Sequence, residues 1–288
     1  MRLQFLRNRG LGPASLIARA QGKGRPQFSR RGLESFVKDM DRRPPVALPP
    51  GPPRSIALVV PCYGHADYLP EALESIARQT RRPDEIVFVD DCSPDSTDRL
   101  LQAFAARQAA AGQRCQMLVN DRNMGQAASL NRGIGAATSD LVMVLNDDDY
   151  LMHDAVESAL RVYDEHPELA LVGAVHIRVT GADALTDASK TSDAHATDGP
   201  AIVLHTPKEV RGFRYVDELD MTHSGLSFRR AAWEAVGGYR TDRQTRVTPY
   251  SDRDFQLRVA ALWPIGVVRT RPFAFWRTDS SVDRNLNS

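Results

Sequence analysis

From Ile56 onward, short apolar runs alternate with stretches whose apolar residues recur at helical spacing. "IALVVP" is an unbroken apolar run of strand length, the pattern of a strand covered on both faces. In the following "YLPEALESIARQT", Leu69, Leu73, Ile76 and Ala77 share one helical face, and Pro70 sits where a first turn tolerates it. "EIVFVDD" predicts a second strand. "SPDSTDRLLQAFAARQAAAG" predicts a helix with Ser/Asp at its start and a glycine stop. "CQMLVN" and "DLVMVLN" predict two more strands, separated by "GQAASLNRGIGAATS", a helix rich in small residues and suited to close packing. "DAVESALRVYDEHPE", "RRAAWEAVGGY" and "SDRDFQLRVAALW" read as further helices. Strand, helix, strand, helix at this spacing implies an α/β fold, with parallel strands joined by right-handed crossovers.

Two regions break the rhythm. Residues 178–222 are rich in Thr, Asp, Ala and His and read as a long variable insertion. Residues 1–54 hold 12 Lys/Arg against 3 Asp/Glu, a balance of +9 hidden within the overall +1. They end in "RRPPVALPPGPPR", a proline-rich and extended linker. The reading is a flexible basic leader over 1–54 and a globular domain over 55–288. The leader is either solvated or touches anionic lipid or a partner, so peripheral membrane contact is left open. No apolar run reaches the roughly 18 residues of a membrane span. No signal-peptide pattern follows the first arginines, and the three cysteines form no C-x-x-C pair; a cytoplasmic location is the expectation. Aromatic interleaving and nucleic-acid motifs are missing, so no nucleic-acid partner is expected.

The densest chemistry is in "LVMVLNDDDYLMHD", where Asp147, Asp148 and Asp149 follow a buried strand. Two like charges about 4 Å apart near a surface repel by on the order of 4 kcal/mol. Ligands of open α/β sheets sit at the carboxyl ends of strands. A magnesium or manganese ion that bridges these carboxylates to a substrate phosphate would offset the repulsion. The chain has neither a G-x-G-x-x-G turn nor a G-K-[ST] loop, so no glycine cradle would hold a nucleotide's phosphates.

These segments, in this order, resemble family 2 glycosyltransferases of the GT-A fold. "VVPCYGHADYLPEALESIARQT" is similar to the family's opening strand, loop and helix. "DEIVFVDDCSPDSTDRL" matches its DD-x-S-x-D-x-T strand. "NDRNMGQAASLNRGIGAATSDLVMVLNDDD" matches the helix that leads into its D-x-D motif. "HSGLSFRRAAWEAVGGYR" and "SDRDFQLRV" match its acceptor-side segments. The resemblance covers about Ser55 to Ser281. It implies a Rossmann-like, mostly parallel sheet flanked by helices. The nucleotide-sugar half would be 55–177 and the acceptor side 178–288.

The resemblance also implies roles. Pro61 and Tyr63 would line the base, and Asp91 would accept the uracil N3–H, as an acceptor-only carboxylate can. Asp147 would lie near the ribose. Asp148 would hold the cation, joined by Asp149 or Asp147; Asn146 stands where many members carry the first Asp. Asp252 would be the catalytic base, although Ser251 replaces the usual preceding Glu. Asp254 would point elsewhere, and Arg258 would steady the diphosphate or pair with Asp254 at i+4. In "FWRTDSSVDR", Asp279 stands in the place of a metal- or phosphate-binding His, and Arg277 would take the phosphate contact.

The implied activity is metal-dependent, inverting transfer of a sugar from a nucleotide-diphosphate donor, a UDP-sugar first, to the hydroxyl of a glycan or other acceptor in cell-surface polysaccharide synthesis. Two alternatives carry different signatures. A sugar-nucleotide-binding module could lose Asp252, and a nucleotidyltransferase should carry a glycine-rich, basic loop after the first strand, which "PCYGHADYL" is not.

Overall fold

The computed structural model describes residues 29–44, 46–175, 177–179, 201–213, 221–241, 244–248 and 250–277. The elements run α1 (Arg30–Asp41), β1 (Ile56–Cys62), α2 (Leu69–Ala77), β2 (Glu85–Asp90), α3 (Thr97–Ala110), β3 (Cys115–Val119), α4 (Gln126–Ala136), β4 (Leu141–Val144), β5 (Tyr150–Leu151) and α5 (Ala155–Glu165). They continue with β6 (Leu171–Ala174), β7 (Ile177–Val179), β8 (Ile202–His205), α6 (Pro207–Arg211), β9 (Ser227–Arg229), α7 (Arg230–Val236), α8 (Ser251–Ala260), β10 (Ile265–Val268) and β11 (Ala274–Arg277).

An eight-stranded sheet has the order β3-β2-β1-β4-β9-β6-β10-β8. Strands β3, β2, β1 and β4 run parallel, as the alternating pattern predicts. Beyond them the sheet becomes mixed: β9 is antiparallel to β4 and β6, and β8 is antiparallel to β10. A small second sheet, β5-β11-β7, lies beyond the acidic run.

The apolar runs work because both faces are covered. Ala57, Val59, Val87, Val89, Val142 and Val144 join one core with α4, α7 and α8. Ile56, Leu58, Val60, Ile86, Phe88, Leu141 and Met143 join the other, with α2, α3 and α5. This alternation is the period of two that a pleated strand imposes. The small residues of α4 allow its close approach: a Cβ on Gly133 would lie 2.7 Å from Val59 and 2.9 Å from Val89.

The expectation of a flexible leader over 1–54 is corrected for its described part. Ser29 caps α1 by accepting the Gly32 N–H at 3.0 Å, and its own N–H donates to the Val247 carbonyl at 2.6 Å. Leu33 and Phe36 are 1% and 6% exposed within the main core. At Gly32 even a Cβ would come within 2.0 Å of the Arg246 carbonyl oxygen, so the helix lies directly on the 246–247 segment. Of the linker, Val46 accepts from the Trp263 indole, Gly51 from Arg229, and the Arg54 N–H donates to Asp140. Helix α1 itself balances three basic residues with three acidic ones, so the +9 of residues 1–54 lies outside it, and its buried Leu33 and Phe36 mark an amphipathic helix. Residues 1–28 lie outside the described residues. No helix among the described residues is long and apolar enough to cross a membrane.

Candidate active site

The site forms where β1, β2 and β4 end. Main-chain turns beyond β1 and β2 bring four polar loops together there. Asp147, just past β4, accepts the Tyr63 N–H at 2.8 Å and faces His65 Nδ1 at 2.9 Å. Asp95 accepts the Ala66 and Thr97 N–H groups, which fixes the β1 and β2 loops to each other. The loop after β1 therefore takes its shape from residues far along the chain.

The sequence-predicted residues divide into two groups. Tyr63 is 44% exposed just past the end of β1, while Pro61 is buried in the strand beneath. Asp148 is half-buried and lies with Asp147 and His65; one ligand atom from each falls within 4.8 Å of the others. The charges strain each other. Burial and the Asp148 charge push the Asp147 carboxyl above its usual range, while His65 pulls it back. The bond to Asp147 raises the His65 imidazole, against its burial. Burial, then Asp148, pushes Asp149 up to about 8.

Three expectations are corrected. Asp91, expected to meet a uracil, is 3% exposed and already accepts from Asn120 Nδ2 (2.6 Å), Met124 N–H (2.7 Å) and Gly125 N–H (2.7 Å). It holds the turn that starts α4, where Gly125 has a φ of 84°. A carboxylate has about four lone-pair directions, and Asp91 spends three on the fold. Asp149, expected at the cation, points away from the cluster and accepts from Ser224 Oγ (2.5 Å) and the Arg277 N–H (2.9 Å). Arg277, expected at the phosphate, is 1% exposed; it pairs with Glu71, donates to the Asp148 carbonyl and lies 4.7 Å over the Tyr68 ring. Asp279 lies outside the described residues.

Asp252 stands half-buried in the first turn of α8. Three residues on, Phe255 stacks on Tyr239 at 4.3 Å, and the Tyr239 hydroxyl meets His223 Nε2 at 3.0 Å. Residues i and i+3 share a helix face, so Asp252 looks toward this pair. Burial lowers the His223 pKa against the pull of Asp252 and keeps the imidazole neutral. His223 precedes Ser224, whose hydroxyl reaches Asp149 and accepts the Asn146 N–H, so one short loop joins the acidic run to the base candidate. Asp254 instead pairs with Arg258 at 2.7 Å, both 0% exposed, and Arg258 donates to the Val236 and Gly238 carbonyls. Of the two roles weighed for Arg258, the structure shows the ion pair.

Sequence reading passed over His65, Asp90, Asn120, His223 and Ser224. Nothing local marks His65, because its partner Asp147 is 82 residues away. Asp90 was visible beside Asp91 and differs from it only in direction: it accepts from Ser93 N–H at 3.0 Å and pairs in register with Cys62 at the end of β1, next to Tyr63.

The profile of glycosyl transferase family 2 matches residues 57–236. The chain belongs to glycosyl transferase family 2. Among curated relatives of this family 2 chain, glycosyltransferase GlyG of Streptococcus pneumoniae is 29% identical over 118 residues, 41% of this chain and 38% of its own length. Succinoglycan biosynthesis protein ExoO of Rhizobium meliloti is 34% identical over 109 residues, 38% of this chain and 30% of its own. The match thus spans about a third of either relative. TarS 1–349 of S. aureus, solved in complex with UDP-GlcNAc, superposes with a TM-score of 0.58 at 16% identity, over 79% of this chain and 60% of that one. Mannosyltransferase PcManGT of Pyrobaculum calidifontis, solved with GDP-Man and Mn2+, gives 0.55 at 20% identity, over 92% and 66%. At these identities the likeness establishes the GT-A fold.

Proposed function

We propose that this family 2 glycosyltransferase moves a sugar from a nucleoside-diphosphate donor, a UDP-sugar by preference, to an acceptor hydroxyl with inversion, in the building of surface polysaccharide. The observation that carries the reading is the meeting of Tyr63, Asp147, Asp148 and His65 at the strand ends, with Asp252 across the Ser224–His223 loop. TarS in complex with UDP-GlcNAc and PcManGT in complex with GDP-Man share the fold and support a nucleotide-sugar donor.

The two carboxylates suit manganese or magnesium, and the imidazole beside them is better tolerated by manganese than by the harder magnesium. Burial first, and then the neighbouring Asp148 charge, raises the Asp147 carboxyl, and a cation would relieve the repulsion between the two. Asp148 and Asp147, with His65, would therefore hold the ion, which when bound offsets charge growing on the departing diphosphate.

The chain's own groups do the rest. Tyr63 stacks on the base. Asp90 is as buried as Asp91, at 4% exposed, but among the described residues its carboxylate accepts one bond against three for Asp91, so Asp90 rather than Asp91 is the proposed acceptor for the uracil N3–H. Asp252 accepts the proton of the incoming hydroxyl, and the neutral His223–Tyr239 pair beside it adds no cation that would hold it as a salt bridge. A cytoplasmic site of action, and membrane contact through the basic N-terminal region, belong to the same proposal.

Nucleotide release from UDP-, TDP- and GDP-sugars with manganese tests the reading. UDP-sugars should turn over fastest, excess EDTA should stop the reaction, and Asp252→Asn should keep donor affinity within a few-fold while transfer falls by about 10²–10⁴. Full turnover in EDTA, or wild-type transfer by Asp252→Asn, would overturn it.

A further inference from the structure

Helix α8 begins in a way that local folding does not ask for. Its N-cap is Tyr250, in extended conformation, and no side chain caps the helix. N-caps favour Ser, Thr, Asp, Asn and Gly, whose side chains or small size satisfy the first free N–H groups. A tyrosine does neither. The backbone at this position is held on both sides: the Tyr250 N–H donates to Thr248 Oγ1 at 3.4 Å, and its carbonyl accepts the Asp254 N–H at 2.8 Å. Thr248 is itself buried at 4% exposure. The ring, by contrast, is 43% exposed.

Among the described residues, the exposed large apolar side chains include two aromatics, Tyr63 and Tyr250. Tyr63 stands beside the acidic cluster at the donor end. Tyr250 stands two residues before Asp252, on the acceptor side. A rigidly based, exposed ring next to a general base is a surface against which a flat, C–H-rich molecule can lie. The face of an aromatic ring is electronegative, and one face of a pyranose presents several axial C–H bonds.

We propose that Tyr250 is the platform for the acceptor and that the acceptor is therefore a saccharide, its pyranose face against the Tyr250 ring and one hydroxyl at Asp252. This rests on the glycosyl-transfer reading and names the substrate class for its acceptor side. A ring that sits where a good N-cap belongs costs stability, as residues at functional sites often do.

The test uses Tyr250→Ser, Tyr250→Trp and wild type in the full chain. UDP affinity is read by calorimetry. Transfer is read as released nucleotide, with methyl hexopyranosides, N-acetylhexosaminides and disaccharides as acceptors, and glycerol 1-phosphate and a Ser-rich peptide as non-saccharide hydroxyls. Tyr250→Ser supplies a proper cap, so its melting temperature should equal or exceed wild type. Its saccharide KM should rise by about 3- to 10-fold, the worth of one aromatic contact, with kcat within about 3-fold and UDP affinity unchanged. Tyr250→Trp should restore the KM. An unchanged saccharide KM in Tyr250→Ser, or wild-type transfer to the non-saccharides alone, overturns the proposal while leaving glycosyl transfer intact. Failure of wild type to bind UDP- or GDP-sugars at all overturns the underlying reading instead.

Discussion

Replacing Asp91 and Asp90 in turn separates a residue that builds the site from one that reads the donor. Asp91→Ala removes an acceptor from Asn120 Nδ2, which keeps Ser129 Oγ, from the Gly125 N–H, which keeps Asn123 Oδ1, and from the Met124 N–H. A buried donor left unpaired costs about 1–3 kcal/mol. The two backbone groups are partly buried and recover some hydration, so the total should be on the order of 3 kcal/mol. That is a large share of the roughly 5–15 kcal/mol by which a native protein is stable. At about 2–4 °C per kcal/mol for a large domain, the melting temperature should fall by about 6–12 °C. Among the described residues the Asp90 carboxylate accepts one bond, from the Ser93 N–H, and Asp90→Asn keeps an oxygen for it. Its stability should stay within about 1 kcal/mol of wild type. Its amide, however, also presents N–H where uracil N3–H needs an acceptor. The preference for UDP over CDP should shrink by about 5- to 150-fold, the equivalent of 1–3 kcal/mol. Urea melts of both variants and calorimetric titrations with UDP and CDP in manganese read both quantities. If Asp91→Ala melts like wild type while losing the UDP preference, the assignment of Asp91 to the fold is wrong and the base is read by Asp91.

Three further outcomes are expected. Asp254→Asn leaves Arg258 charged and fully buried without its partner, so stability should fall by about 3–5 kcal/mol while UDP affinity per folded molecule holds; a melt within 1 kcal/mol of wild type would refute the structural role. Leu33→Ala should cost about 2–5 kcal/mol, read by urea denaturation, whereas a loosely tethered leader would show no change. Glu85 feels burial that raises its pKa, yet bonds from Ser139 and Thr138 outweigh it and leave the folded pKa below 4.5; its contribution is present above pH 4.5 and lost as pH falls through the lower folded value, so the stability gap between wild type and Glu85→Gln should be full at pH 7 and close in acid.

The sequence by itself determined the parallel part of the sheet. The apolar runs at β1, β2 and β4 could be nothing but strands covered on both faces, and the helical spacing between them left parallel pairing as the geometry that buries both. The motif order placed Tyr63, Asp147, Asp148 and Asp252 in their segments, because those assignments depend on local spacing. Tertiary structure decided what spacing does not encode: direction and long-range company. Asp90 and Asp91 are neighbours in sequence and both are buried, yet Asp91 is consumed by the turn that starts α4 while Asp90 accepts from the Ser93 N–H of its own loop. Asp149 and Arg277 carry the residue types of a cation and phosphate site, but burial against Ser224 and Glu71 turns them inward. The same holds for α1. The charge of the residues around it reads as a solvated leader, and only packing against the core beside residues 246–247 gives Leu33 and Phe36 an apolar surface to cover. The sheet turned mixed beyond β4 for the same reason: β9 is three residues long, too short for a periodic signal, and its direction was set by the strands on either side of it.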